Sequence, residues 1–204
     1  TAKGHKPYII GHRAAVLGAV AYVGCAVEIH EQLTVLGLQA DVIALASGSG
    51  TQAGVALGVK ALGTGAKVLG FSPSLSDEGA RRHGIARLAN EAAEVLGLDT
   101  HLSPEEIVNT HAYVGESYGI VTQAGLDAIE LVARTEGILL DPVYTAKAMA
   151  GVIAQIRQGV IPKDATLVFI HTGGNPALFA YQPELVAHGG YAQKIVTDLA
   201  GGIA

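Results

Sequence analysis

At 204 residues, half hydrophobic and only 15% charged, the chain has room for one large α/β domain or two small ones, and it is apolar enough that part of its surface is expected to meet another domain or subunit. A formal charge of −5 with scattered Lys and Arg gives no basic stripe for nucleic acid. No run free of Gly or charge reaches the ~18 apolar residues of a membrane span, so the chain reads as soluble, and its single cysteine, Cys25, expected as a buried small residue, allows no internal disulfide and suits a cytoplasmic location.

In chain order, residues 6–11 (KPYIIG) set β-branched apolar residues behind a proline and predict a strand. Apolar residues then recur at helical spacing from Val16 to Leu36, with Glu28, Glu31 and Gln32 on the other side and Gly37 as the stop. Residues 41–54, DVIALASGSGTQAG, carry the most informative signal. They read as an apolar strand over 41–46, a turn of Ser47, Gly48, Ser49 and Gly50, and a small-residue helix from Thr51 to about Leu62. Amides without partners, the positive end of the helix dipole and the Ser49 and Thr51 hydroxyls converge there on a point where a phosphate would sit. No lysine follows the turn and no acid stands at the dinucleotide-binding distance, so neither common nucleotide fingerprint is met. A strand-to-helix turn without a ligand remains the alternative on spacing alone.

Residues 67–71 predict a second buried strand, and Ser76, followed by Asp77 and Glu78, the N-cap of a helix reaching Leu96 before Gly97. Strand and helix alternating over short connections predict right-handed crossovers and a parallel sheet. Further on, Ser103-Pro104-Glu105-Glu106 starts a short helical turn, residues 108–114 read as extended, and 115–119 as a loop. Thr122 caps a helix ending near Gly137, and Asp141-Pro142 opens another through Tyr144 and Lys147 to Gln158. Residues 166–170 form a β-branched strand, and His171-Thr172-Gly173-Gly174 a second glycine turn; the final GGIA is expected to fray. The fold class is α/β: an open, mostly parallel twisted sheet with helices on both faces, forming one domain over 1–204.

Ligands of such sheets bind beyond the carboxyl ends of the strands, so the two glycine turns should face one crevice. Tyr118, flanked by glycine, and Tyr144, beside Asp-Pro, can each direct a phenol there as acid, base or donor; packing is the plainer reading of each. His171 reads as a backbone-bonded structural residue, the other histidines show no metal-ligand spacing, Arg81-Arg82 beside His83 reads as a solvated helix face, and Lys147 as a surface amine.

Three motifs, Ser47-Gly48-Ser49-Gly50-Thr51-Gln52-Ala53-Gly54, the stretch from Glu136-Gly137 through Asp141-Pro142-Val143-Tyr144 to Met149, and Phe169-Ile170-His171-Thr172-Gly173-Gly174, resemble the 1-aminocyclopropane-1-carboxylate deaminase and D-cysteine desulfhydrase family. These are pyridoxal 5'-phosphate enzymes of the tryptophan synthase β fold. The resemblance implies that Ser47, Gly48, Ser49, Gly50 and Thr51 hold the cofactor phosphate, that Thr172 lies near the pyridine nitrogen, and that Tyr118 and Tyr144 stand by substrate and cofactor. It implies a small amino-acid substrate, β-elimination giving 2-oxo acid and ammonia, and a homo- or hetero-oligomer. The deaminases carry Glu directly after the second tyrosine; Thr145 at that place makes the chain more similar to the desulfhydrases. Two departures stand out. Gly11-His12-Arg13-Ala14-Ala15 replaces the family's glycine and serine or asparagine turn. The family's Schiff-base lysine belongs to a segment N-terminal to anything in the sequence, so a lysine-bearing chain or segment is the expected partner, and neither Lys147 nor Lys60 is suited to replace it. The alternative to a catalytic part is a non-catalytic phosphate-ligand-binding or regulatory subunit; a dinucleotide-binding domain lacks its fingerprint.

Overall fold

A computed structural model describes residue 4 and residues 11–189. The expected strand over 6–11 and the C-terminal GGIA lie outside the described residues, apart from Gly11. Four strands, β1 (Val42–Ala46), β2 (Lys67–Phe71), β3 (Val108–Thr110) and β4 (Leu167–Ile170), form one sheet in the order β3-β2-β1-β4, and every pairing is parallel. Helices cover both faces, so the α/β class read from the sequence holds. Strand β1 is buried at all five positions because it is central. Its Val42, Ala44 and Ala46 pack toward helix α5 (Thr145–Arg157), while Ile43 and Leu45 pack toward helix α2 (Gly50–Leu62).

Helix α1 (His12–Val35) lies along α2, and both meet α3 (Glu78–Leu96). The close approach depends on Gly54, where an added Cβ would come within 2.0 Å of the Ala19 carbonyl oxygen. The remaining helices are α4 (Gln123–Glu136), α6 (Ala177–Ala180) and α7 (Gln182–Gly189).

Several expectations need correction. Gly11 is an N-cap and His12 opens α1, so residues 11–15 enter a helix rather than a turn; the Ala14 amide bonds the Gly11 carbonyl at 3.0 Å. At 24 residues, α1 is long and apolar enough to cross a membrane by length and composition, although Gly18, Gly24 and Glu28 interrupt its apolar run as the sequence reading has it. Asp77, not Ser76, caps α3, because its carboxylate accepts the Ala80 amide at 2.6 Å. Only Val108–Thr110 is strand, since the chain then turns through a bond from the Val114 amide to the His111 carbonyl. Cys25 is half-buried rather than buried, and burial together with Glu28 pushes its thiol pKa up, which keeps the sulfur protonated and unreactive.

Candidate functional site

The chain runs outward from β1 through β2 to β3, then returns to the other side of β1 to lay down β4. The order therefore switches between β1 and β4, and at the carboxyl edge of a switch point the connections diverge and leave a crevice. Both glycine turns emerge there. A cavity of about 550 Å³ is lined by Ser47, Gly48, Ser49 and Thr51 from the β1 turn, by Thr172, Gly173 and Gly174 from the β4 turn, and by Tyr118 and Tyr144. A larger cavity of about 790 Å³ lies at the opposite edge, among Asp41, Lys67 and Pro162. Helix carboxyl ends face that edge, so it lacks the amide donors of an anion site.

The first turn is built from within. The Ser47 hydroxyl accepts the amides of Ser49 at 3.2 Å and Gln52 at 3.1 Å, which fixes the exit from β1 onto the helix. Among the described residues the amides of Gly48, Gly50 and Thr51 keep no protein partner, which leaves donors at the helix N-terminus. Gly50 itself turns toward α1, with the Ala15 carbonyl 3.4 Å from where a Cβ would stand. Beneath the turn, buried Asn109 donates to the Ser47 carbonyl at 2.7 Å and to the Gln52 side-chain oxygen at 2.6 Å.

The second turn is locked to the N-terminus of α5. Gly174, at φ +93°, packs so closely on Asp141 that an added Cβ would be 2.6 Å from the carboxyl carbon. The His171 ring bonds the Leu139 carbonyl at 2.8 Å and accepts the Gly173 amide at 3.2 Å, which is the structural role expected of it. Asp141, fully buried, accepts the amides of Val143, Tyr144 and Thr145 and the Thr145 hydroxyl. Tyr144 is thereby held at the mouth of the cavity.

Tyr118 and Tyr144 meet there edge to face, with ring centroids 5.9 Å apart and hydroxyls hydrogen-bonded to each other. That bond from Tyr118, aided by burial, pushes the Tyr144 pKa up to about 12. At neutral pH Tyr144 therefore keeps its proton and serves as a donor, not a base. Two side chains pin the loop that carries Tyr118: the Tyr181 hydroxyl donates to the Gly119 carbonyl at 2.6 Å, and Lys147 Nζ donates to the carbonyls of Val114 at 2.7 Å and Ser117 at 3.1 Å. Lys147 is 2% exposed, which corrects its reading as a surface amine; desolvation lowers its pKa.

Arg81 and Tyr22 line the cavity and were not legible as site residues. Arg81 is the one formally charged side chain among the described lining residues, not part of a solvated face. The signal was topological: α3 begins just beyond the carboxyl end of β2, beside the β1 turn, so its first turn borders the same crevice. Among the described residues no cluster of His, Cys, Asp and Glu gathers as for a metal ion.

A parallel sheet with an amide-lined helix N-terminus and a second glycine turn at its switch point defines an α/β protein whose crevice offers donors suited to an anionic group. The chain belongs to the pyridoxal-phosphate dependent enzyme family, which it matches over residues 1–173. It is 40% identical over 188 residues to a D-cysteine desulfhydrase of Yersinia pestis (strain Pestoides F), covering 90% of this chain and 55% of the relative. A D-cysteine desulfhydrase of Salmonella newport (strain SL254) is 40% identical over 189 residues with the same coverage. A crystal structure of an ACC deaminase homologue superposes with a TM-score of 0.77 at 34% identity, over 92% of this chain and 55% of that one. A crystal structure of O-ureido-L-serine synthase, at a TM-score of 0.51 and 18% identity over 80% of this chain and 48% of that one, shares the fold. The chain spans about half the length of the curated relatives it matches. The resemblance read from the three motifs is thus confirmed.

Proposed function

We propose that these 204 residues form the cofactor-binding portion of a pyridoxal-phosphate-dependent lyase or deaminase, acting on a small amino acid in the manner of a D-cysteine desulfhydrase. The observation that carries the reading is the convergence, in one cavity of about 550 Å³, of two glycine turns from neighbouring parallel strands and a paired set of tyrosines. The size is that of a pocket for a small cofactor with its substrate.

The residues fit the group. Ser47 shapes the turn, the free amides of Gly48, Gly50 and Thr51 with the Ser49 and Thr51 hydroxyls would hold the phosphate, and the Thr172 hydroxyl would serve the ring nitrogen. A hydroxyl at Thr172 carries no charge with which to keep that nitrogen protonated, whereas a carboxylate would. Pyridoxal phosphate, when bound, supplies the electron sink for removal of the α-proton and loss of a β-substituent. Tyr118 and Tyr144 share one internal hydroxyl proton between them, which leaves one proton to donate to the substrate or its leaving group. The pinned loop fixes where that proton is offered.

The covalent lysine is supplied from outside these 204 residues, by a further segment or a separate chain, in a cytoplasmic homo- or hetero-oligomer. That the chain spans 55% of the length of the D-cysteine desulfhydrases it matches supports this reading. Co-expression of the chain with the amino-terminal half of a D-cysteine desulfhydrase, with sulfide and 2-oxo acid measured from D-cysteine, tests the proposal. Turnover by the pair and by neither part alone is expected. Stabilisation by pyridoxal phosphate without turnover in the pair would instead leave a non-catalytic binding subunit.

A further inference from the structure

We propose that Arg81 is the counter-cation of the phosphate site: its guanidinium, seated against Gly48, completes the cradle of the β1 turn. The inference rests on the cofactor reading of the cleft and adds the charge partner that the cradle otherwise lacks. A phosphate monoester carries about −1.5 to −2 charge at neutral pH, and the helix N-terminus answers it with roughly half a positive charge. None of the other described residues lining the cavity is cationic.

The geometry of Arg81 favours that use. It lies in the first turn of α3, behind the Asp77 cap. One nitrogen, Nη2, anchors it by donating to the Ser74 carbonyl at 2.9 Å and to the Ser76 hydroxyl. Nη1 presses on the β1 turn so closely that a Cβ at Gly48 would stand 2.4 Å from it. Nε is shut off from water and has no acceptor. Nη2 therefore fixes the fork, while Nη1, which has no hydrogen-bond partner among the described residues, lies against the β1 turn where a phosphate oxygen would accept from it. Gly48 is the seat that permits this: a methyl group there would clash only with the guanidinium of Arg81 and meet Ser72 Oγ at an ordinary 3.6 Å, so the fold tolerates it while the guanidinium is displaced.

The test measures dissociation constants of the full 204-residue chain for inorganic phosphate, pyridoxal phosphate and unphosphorylated pyridoxal, by calorimetry and thermal shift. Arg81→Gln is expected to weaken both phosphate-bearing probes at least tenfold and to flatten their salt dependence, with pyridoxal unchanged. Arg81→Lys should recover part of the loss, and Gly48→Ala should reproduce it with an unaltered Tm in the absence of ligand, which keeps the test valid if Arg81→Gln folds poorly. Unchanged affinity in Arg81→Gln overturns the proposal, as does equal weakening of all three probes, which would mark a merely structural role. Wild-type binding of inorganic phosphate through Arg81 without pyridoxal phosphate binding would overturn the cofactor reading and leave Arg81 standing. No binding of either phosphate probe overturns both.

Discussion

Asp141→Ala is expected to lower unfolding stability by about 2–4 kcal/mol, because it removes a buried acceptor and leaves neutral donors without partners. The side chain is fully buried and takes four donors at 2.8–2.9 Å: the amides of Val143, Tyr144 and Thr145 and the Thr145 hydroxyl. Amides left without partners or water cost roughly 1–3 kcal/mol each before the segment relaxes. Asp141→Asn keeps one acceptor oxygen and should fall between. The damage reaches the cleft from both sides, because the same carboxylate positions Tyr144 and forms the floor on which Gly174 packs. Urea midpoints at constant m-value give the measurement. A loss under about 1 kcal/mol in Asp141→Ala would show that its carboxylate does not organise the turn that leads into α5.

Lys147→Met should cost about 2–3 kcal/mol, as two carbonyls of the 114–117 loop lose a charged donor while the methionine refills the apolar stem space. Two readouts separate this from a generic core defect. Amide exchange should accelerate in the loop that carries Tyr118, with α2 and β1 unaffected. The pH dependence should also change. Desolvation holds the folded-state pKa of Lys147 below its ordinary value, so between the two values the unfolded chain binds more protons and wild-type stability rises with pH. Lys147→Met should remove that rise. A variant as stable as wild type, with the loop still protected, would mean that Lys147 is a passenger.

What could be read in advance was local. The apolar run, small-residue turn and helix of residues 41–62 needed only neighbouring residues to be recognised, and the same holds for α4, whose cap Thr122 and stop Gly137 both stand in the sequence. The two turns could be assigned to one crevice because a parallel sheet places all strand carboxyl ends on one edge. Lys147 was misjudged because helical spacing says which face a residue is on, not what lies over that face; here the 111–119 segment covers it. Arg81 was missed for the same reason, since its meaning depends on α3 starting beside β1's turn rather than on its own neighbours. The Ser76 and Asp77 alternatives are chemically equivalent caps, and only backbone geometry separates them.

Under the proposed function, this chain holds the phosphate of pyridoxal phosphate without holding its covalent lysine. Titrating the 204-residue chain with pyridoxal phosphate, reducing with borohydride and mapping the peptides by mass tests it most directly. Saturable binding that inorganic phosphate competes away, with no stoichiometric adduct on any one lysine, is the predicted result. A stoichiometric reduced adduct on a single lysine of this chain, Lys147 or Lys60 included, or binding indifferent to phosphate, would contradict it.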